Sequence, residues 1–225
     1  MIIVTNIILS RILALGAVLV ASVAGSLAVF AVTASEHWVA APVHFKIQYP
    51  YNVSRSSRYQ ISHGVYHLEV YRDDKPFSKR TRTKPRTEQR FLPDYSSHSV
   101  LYASDMMVPT GTNGTCIFQI HTGNAYSHRY GSTAFMLFWY MRDGGSLHDY
   151  SGKELMAHLT GKWFNLRVRH DMRTHLITVW VNGRKVWTQH ANGAPDFYMK
   201  DGVYAQRRAS RKMQVYIRDI HMWMR

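Results

Sequence analysis

Short runs in which apolar and polar residues alternate make up most of the chain after His37. Because successive side chains of a β-strand point to opposite faces, such runs predict half-buried strands. We expect strands over residues 65–71, 85–90, 99–104, 116–121, 134–140, 163–169, 175–181, 184–189, 197–206 and 213–218. The pair Asn182-Gly183 lies between two of these runs. It predicts a two-residue type I′ hairpin, since both residue types tolerate positive φ.

Helical periodicity is almost absent from the same part of the chain. Residues 152–159 have room for a turn or two of helix at most. Many short strands without intervening helices predict an all-β antiparallel sandwich or barrel, built as a single domain.

Three of the predicted strands carry polar, hydrogen-bonding side chains on one face and mostly apolar ones on the other. These polar faces carry Arg86, Glu88 and Arg90, then Gln119 and His121, and finally Tyr198, Lys200, Tyr204 and Gln206. Cys116 falls opposite Gln119 and His121, so we expect it to pack as a small apolar group.

If the three strands are sheet neighbours, their guanidinium, ammonium, amide, imidazole and phenol groups meet on one surface. An arginine can hold a carboxylate with two parallel hydrogen bonds, and the amide of Gln119 can add another. The pattern therefore predicts a site for carboxylates. Two alternatives stay open: residues 86–90 can be cross-paired charges on a solvated face, and His121 can be a non-catalytic histidine.

Residues 1–35 predict a secretory signal peptide, followed by an exported domain over residues 36–225. Arg11 precedes an uncharged run from Ile12 to Val32, and small residues follow up to Ser35. The run is long enough to span a bilayer, so an uncleaved signal anchor on a structural or adhesive module is the alternative. We expect a secreted, extracellular or cell-wall protein, with the vacuole as another destination. Asn52 and Asn113 begin N-x-S/T sequons and are candidate glycosylation sites.

The charge balance favours an anionic partner. Lys and Arg number 28 against 14 Asp and Glu, which gives a formal net charge of +14. Export argues against nucleic acid and leaves an acidic polysaccharide or a small carboxylate ligand, although a merely solvated basic surface is the alternative. The basic run 79–84 can steer a polyanion toward the first polar strand. Membrane contact is expected only with an uncleaved anchor, and we expect a monomer.

Cysteine and histidine usage point away from a metal site. The single cysteine, Cys116, excludes an internal disulfide and a four-ligand thiolate zinc site. The 13 His residues include no pair at metal-ligand spacing. No metal and no organic cofactor are expected.

The polar strands resemble the signature blocks of the alginate-lyase-2 family, of the polysaccharide lyase family seven type. That family typically shows R-T/S-E-x-R, Q-I/V-H and Y-F-K-x-G-x-Y-x-Q. The corresponding blocks here are Arg86-Thr-Glu-Gln-Arg90, Gln119-Ile-His121 and Tyr198-Met-Lys-Asp-Gly-Val-Tyr-Ala-Gln206. The resemblance implies a concanavalin-like β-jelly-roll with a concave binding sheet, and cleavage of uronate polymers by β-elimination.

The resemblance also implies roles for single residues. Arg86, Gln119 and His121 would neutralise the substrate carboxylate, Tyr204 would be the general acid, and either Tyr204 or His121 the base. The substrate-binding set would comprise Glu88, Arg90, Lys200, Tyr198 and Gln206. A phenol acting as base needs nearby positive charge, which we expect from Arg86, Arg90 and Lys200.

From about Val43 onward the chain is also similar to the plant citrate-binding-protein branch of this superfamily. The residues that carry this similarity include Phe45-Lys-Ile-Gln-Tyr-Pro-Tyr51 and Asp74-Lys-Pro-Phe77. A non-catalytic protein that binds citrate or polyanions is therefore the alternative function. His121 favours catalysis, because that branch does not reliably keep this imidazole. Departures from the lyase pattern are Gln89 in place of an aliphatic residue, and Asp201 and Ala205 in place of Ala and Asn.

Overall fold

The computed structural model describes residues 37–225, which form an antiparallel β-sandwich with one four-residue α-helix and one short 3-10 helix. The strands are β1 (Val39–Ala41), β2 (His44–Gln48), β3 (Tyr59–Ser62), β4 (Val65–Tyr71), β5 (Arg86–Leu92), β6 (Val100–Met107), β7 (Thr115–Thr122), β8 (Thr133–Tyr140), β9 (Ser146–His148), β10 (Glu154–Met156), β11 (Phe164–Asp171), β12 (Leu176–Val181), β13 (Arg184–His190), β14 (Phe197–Ala205) and β15 (Lys212–Met224). Helix α1 spans Ser127–Tyr130, and the 3-10 helix spans Arg55–Ser57.

The strands form two sheets. One sheet has seven strands in the order β10-β9-β8-β7-β14-β5-β2. The other has eight, in the order β13-β12-β11-β6-β15-β4-β3, with β1 also paired to β15. Strands far apart in the chain are neighbours in both sheets, so long-range pairing brings β5, β7 and β14 side by side.

The core lies between the sheets because each strand turns its apolar positions inward. Leu68, Val168 and Val179 of the eight-stranded sheet are fully buried, and Phe118 and Trp139 of the seven-stranded sheet are buried to within 1%. These residues belong to one continuous apolar cluster. The predicted all-β sandwich in a single layered domain is confirmed, and the polar faces of the strands point away from this core.

Local predictions fare differently. The Asn182-Gly183 hairpin is confirmed: φ is 49° at Asn182 and 78° at Gly183. For residues 152–159 the sequence allows at most a turn or two of helix, and none forms there, because strand β10 occupies Glu154–Met156 and pairs with β9. The last strand continues six residues beyond residue 218. A register shift between Arg218 and His221 interrupts the alternation that the sequence pattern follows.

Candidate signal and anchor residues 1–35 lie outside the described residues. Within residues 37–225, no helix combines the length and the apolar character that crossing a bilayer would take.

Candidate active site

Strand register gathers the predicted site residues on one face of the seven-stranded sheet. Lys200 is paired with Arg90 on β5 and with Gln119 on β7, and Tyr204 is paired with Arg86. Tyr198 is paired with His121 at the other end of β14. Directly paired residues of adjacent strands point to the same side, so these side chains share the solvent face. We call this the site face.

Gly202 allows β14 to come close to β5 in the middle of the site. Its φ is +131°, and a Cβ there would lie 2.8 Å from Glu88 Cα and collide with the Thr87 carbonyl oxygen. A side chain at position 202 would therefore push the two strands apart. The glycine of the third block is required by packing.

The Glu88 carboxylate joins three of the other site residues. It accepts hydrogen bonds from Arg86 Nη1 at 3.1 Å and from Gln119 Nε2 at 2.6 Å, and Lys200 Nζ lies 3.6 Å away. Glu88 is 2% exposed. The sequence predicts that Glu88 binds substrate, but its negative charge and its hydrogen bonds to Arg86 and Gln119 argue against direct contact with an acidic ligand. It holds the groups that would make that contact.

Two rings cover Arg86. Its guanidinium carbon lies 3.7 Å from the ring centroid of Tyr204 and 5.3 Å from that of Phe77. As a result Arg86 is only 4% exposed. Phe77 was not predicted as a site residue, although it ends the Asp74–Phe77 segment that carries the similarity to the citrate-binding branch.

Tyr204 is partly exposed, and its phenol is neutral at neutral pH. Burial raises its pKa above the ordinary value and outweighs the Arg86 charge, which lowers it. A hydrogen bond from the Gln206 side chain lowers this pKa further, whereas the charge of Glu88 raises it. The Arg86 charge acts in the predicted direction, towards phenolate, but burial acts against it and has the larger effect, so the phenol stays protonated.

His121 is also neutral. Burial and the nearby Lys200 charge lower the pKa of its imidazole to about 4. Its Nδ1 lies 3.1 Å from the Thr122 carbonyl oxygen. Because a carbonyl can only accept, we assign the proton to Nδ1, which leaves the Nε2 lone pair available. The imidazole stacks on Tyr198 with ring centroids 5.0 Å apart, and this fixes its orientation.

Lys200 and Arg90 supply positive charge next to Tyr198. Lys200 is 2% exposed, and burial lowers its pKa to about 8 although Glu88 opposes this shift. The Arg90 guanidinium lies 4.0 Å from the Tyr198 ring centroid and donates to both carboxylate oxygens of Asp94, at 2.6 and 2.7 Å. Burial raises the pKa of Tyr198 to about 12, so its phenol stays protonated.

Cys116 was expected on the core side of β7, and this was wrong. A register shift between β7 and β14 pairs it with Tyr204, and the next residue, Ile117, enters the apolar cluster in its place. The Cys116 thiol is buried, which raises its pKa, and the charges of Glu88 and Arg86 act on it. It thus lies beneath the same face as Tyr204 and is protonated.

Further residues extend the site face beyond the predicted set. The exposed Lys46 on β2 is paired with Arg90. On the other side, Phe138 of β8 is paired with Cys116 and stacks with Tyr140, with centroids 6.4 Å apart. Alternation along 44–48 could have revealed Lys46, because His44, Lys46 and Gln48 share one parity.

The two sequons differ in accessibility. Asn52 is exposed, and its Oδ1 accepts a hydrogen bond from Lys75 N. The Asn113 amide is engaged on both sides, since Nδ2 donates to Arg208 O and Oδ1 accepts from Met141 N. Asn52 is thus the more accessible candidate. No group of three or more His, Cys, Asp or Glu residues within 37–225 could hold a metal ion.

Comparisons with known proteins agree with this architecture. The model of a family described as alginate lyase matches residues 41–223. A citrate-binding protein from Hevea brasiliensis is 33% identical over 163 residues, which cover 72% of this chain but only 65% of that protein. Two solved structures share the jelly-roll fold at low sequence identity.

An alginate lyase from Pseudomonas aeruginosa has a TM-score of 0.62 at 17% identity, over 75% of this chain and 86% of its own. A variant of the family 7 alginate lyase A1-II′ in complex with substrate has a TM-score of 0.58 at 12% identity. That alignment covers 80% of this chain and 91% of the lyase. Since the family model covers nearly all described residues, the chain belongs to the alginate lyase family.

Proposed function

We propose that the chain is an exported polysaccharide lyase that cleaves uronate-containing polymers, such as alginate or glucuronan, by β-elimination. The observation that carries this proposal is the shared site face. It combines a neutral imidazole with a free Nε2, a neutral phenol, and a guanidinium and an amide that Glu88 holds in place. Family membership supports the reaction class.

In the proposed reaction, Arg86 and Gln119 bind the carboxylate next to C5 of the sugar. Charge that develops on this carboxylate as the C5 proton leaves is stabilised by these donors, each by roughly 3–4 kcal/mol if they act like oxyanion-hole donors. A carboxylate that reaches Arg86 must displace Phe77 or the Tyr204 ring from it. Arg90, Lys200 and Lys46 would hold neighbouring uronates.

Proton transfer is divided between two groups. His121 Nε2 takes the C5 proton, the C4–O bond breaks, a C4–C5 double bond forms, and the Tyr204 hydroxyl protonates the departing glycosidic oxygen. The neutral states of both side chains at neutral pH suit these roles. Tyr204 in both roles is the alternative, because His121 is paired with Tyr198 at one end of β14, whereas Tyr204 lies at the other end of β14, paired with Arg86.

The direct test is incubation of purified protein with alginate, glucuronan and polygalacturonate, read by ultraviolet absorbance of the unsaturated product. Tyr204→Phe is the matched control, because it removes only the phenolic oxygen. We expect the variant to fold and to lose activity by about 10²–10⁴-fold. If the folded wild-type protein shows no activity on any uronate polymer, the lyase proposal is wrong.

A second candidate function is non-catalytic binding of citrate or another small carboxylate. The relative named as a citrate-binding protein favours it, as does the burial of Arg86 beneath Phe77 and Tyr204. Calorimetry with citrate separates the two candidates. Binding of citrate that Arg86→Gln abolishes, without cleavage of any polymer, would select this function.

A further inference from the structure

A cavity of about 580 Å³ lies where β8 of the seven-stranded sheet meets β13 of the eight-stranded sheet. The two strands contact each other there through Phe135 and Trp187, whose ring centroids are 4.6 Å apart. The cavity is lined by residues 131–135 and 189–192, with Tyr150 and Trp187. We call it the edge cavity. Its volume is within the usual range of small-molecule sites.

The lining is open to solvent and combines aromatic rings with hydrogen-bonding groups. Phe135 is buried, Trp187 is half-buried, Tyr150 is 72% exposed, and Gln189 is exposed. Within residues 37–225, neither the Tyr150 hydroxyl nor the Gln189 amide is hydrogen-bonded to another side chain or to the backbone. These groups are therefore available to a ligand that enters the cavity.

Protein contacts hold both walls of the edge cavity in place. Trp187 Nε1 donates a hydrogen bond of 3.0 Å to Asp149 Oδ2, which fixes the plane of the indole. On the other wall, Asn192 Nδ2 donates to Thr122 Oγ1 and to the Tyr130 carbonyl oxygen, each at 2.8 Å. A wall that is already ordered lowers the entropic cost of binding a ligand.

The charge of the lining differs from that of the site face. Among the described residues that line the edge cavity there is no Asp, Glu, Lys or Arg. A carboxylate that entered would lose its hydration without gaining an ion pair there. The lining suits an uncharged ligand with an apolar face and several hydroxyl groups, as a neutral sugar has. Its ring would stack on Trp187 and its hydroxyls would bond to the Gln189 amide.

The edge cavity borders the site face at two points. Thr133 in its wall is paired with His121 on β7, so their backbones are one inter-strand distance of about 4.8 Å apart. The Tyr150 ring contacts Phe138 of the site face, with centroids 5.9 Å apart. A sugar chain on the site face can therefore continue into the edge cavity.

We propose that the edge cavity binds an uncharged sugar unit of the polymer whose uronates occupy the site face. The preferred ligand is then a mixed polysaccharide in which uronates are linked to neutral sugars, rather than a polymer of uronates alone. The proposal rests on the site face as a uronate-binding surface, but it does not require cleavage.

Titration with neutral glycosides tests the edge cavity alone. The probes are the methyl glycosides of glucose, galactose, xylose and rhamnose, and the reporter is the indole N–H resonance of Trp187, assigned by its absence in Trp187→Phe. We expect at least one probe to shift this resonance saturably, in the wild type and in Arg90→Gln alike. Trp163, which is partly exposed outside the cavity, should not respond. If no probe shifts the Trp187 resonance, the edge cavity is not a sugar site.

Two oligosaccharides with equal numbers of carboxylates test the mixed polymer. One is trigalacturonate. The other is a hexasaccharide in which three galacturonates alternate with the neutral sugar that shifts Trp187, which is the rhamnogalacturonan repeat when that sugar is rhamnose. Calorimetry in a Tyr204→Phe host avoids cleavage during the measurement. We expect the hexasaccharide to bind about tenfold more tightly, because it adds stacking in the cavity.

Variants of the two tryptophans locate this preference. Trp187→Ala should remove it and leave the affinity for trigalacturonate nearly unchanged, whereas the control Trp163→Ala should keep it. Should Trp187→Ala fail to fold, Tyr150→Ala removes the exposed ring of the cavity and should reduce the preference too. A folded Tyr150→Ala protein with the full preference would then contradict the proposal.

The two measurements separate the edge cavity from the site face. Equal affinity for both oligosaccharides would overturn the proposal while the site face still binds uronate. A neutral glycoside that shifts Trp187, without any binding of trigalacturonate, would support the cavity as a sugar site and count against the function proposed for the site face.

Discussion

Glu88 determines the charge and position of the groups around it. Its carboxylate is almost fully buried and contacts a guanidinium, an amide and an ammonium. Such a buried ion cluster costs desolvation energy and adds little net stability, so it is best understood as a device that positions Arg86, Gln119 and Lys200.

Glu88→Gln tests this positioning role. The change keeps the shape but leaves two buried cations without their anion, and we expect a loss of about 3–5 kcal/mol in unfolding free energy. Because the Glu88 charge raises the pKa of Lys200, its removal should lower that pKa below about 8. The alkaline decline of any cleavage activity should then begin at a lower pH than in the wild-type protein. If the alkaline decline of activity is unchanged in Glu88→Gln, Glu88 does not have this positioning role.

The pH dependence of the wild-type protein follows from the same groups. The proposed base, His121, is active when neutral, so kcat/KM should rise as pH increases through about 4. Lys200 binds uronate when charged, so kcat/KM should fall as pH increases through about 8. Lys200→Arg keeps the charge at all accessible pH values and should remove the alkaline limb. If the limb persists in a folded Lys200→Arg protein, another group causes it.

At the scale of elements, the approach of β14 to β5 depends on Gly202. We expect Gly202→Ala to destabilise the protein by roughly 2–5 kcal/mol and to abolish activity, because the new Cβ forces Thr87 and Glu88 away. Gly161→Ala is the control, since φ is +67° there but no atom lies within 4 Å of the added Cβ. It should cost only about 1–2 kcal/mol of backbone strain and leave activity unchanged. If thermal unfolding shows that Gly202→Ala and Gly161→Ala lose the same unfolding free energy, the packing explanation is wrong.

Much of the site could be predicted from the sequence, because alternation decides which side of a strand a residue occupies. Arg86, Glu88, Arg90, Gln119 and His121 were assigned correctly to one face in this way. Alternation fails at register shifts. Cys116 changes sides at the shift near residue 117, and β15 continues past the shift after Arg218. No local pattern marks either irregularity, since partner strands impose it.

The effects of burial on the site residues could not be predicted from the sequence either. Positive charge was predicted to favour the Tyr204 phenolate, and Arg86 does lower the pKa of this phenol, but burial raises it more. Phe77 reaches Arg86 from a loop outside any predicted strand. Such contacts depend on how the loop before β5 folds back over the sheet, which alternation does not describe.

At the scale of the whole molecule, the two polar departures from the lyase pattern are neighbours in the core. Gln89 and Asp201 are directly paired across β5 and β14, and both are fully buried between the sheets. Asp201 Oδ2 accepts a hydrogen bond of 2.6 Å from Tyr102 on β6, so it links the two sheets. The Gln89 amide and Asp201 Oδ1 have no hydrogen-bond partner within the described chain.

This buried carboxyl should make the stability of the sandwich depend on pH. Burial raises the pKa of Asp201 well above its ordinary value of about 4, so the folded state binds a proton that the unfolded state releases. Stability contributed by this proton is complete below about pH 4 and is lost as pH rises through the folded-state pKa.

Asp201→Asn keeps an acceptor for Tyr102 without a charge. We expect it to stabilise the protein by roughly 1–3 kcal/mol at neutral pH, and the gain should vanish toward pH 4. Thermal unfolding at several pH values measures this difference, with Tyr102→Phe as the control that removes only the donor. A difference between wild type and Asp201→Asn that stays constant over the whole pH range would mean that Asp201 is not protonated in the fold.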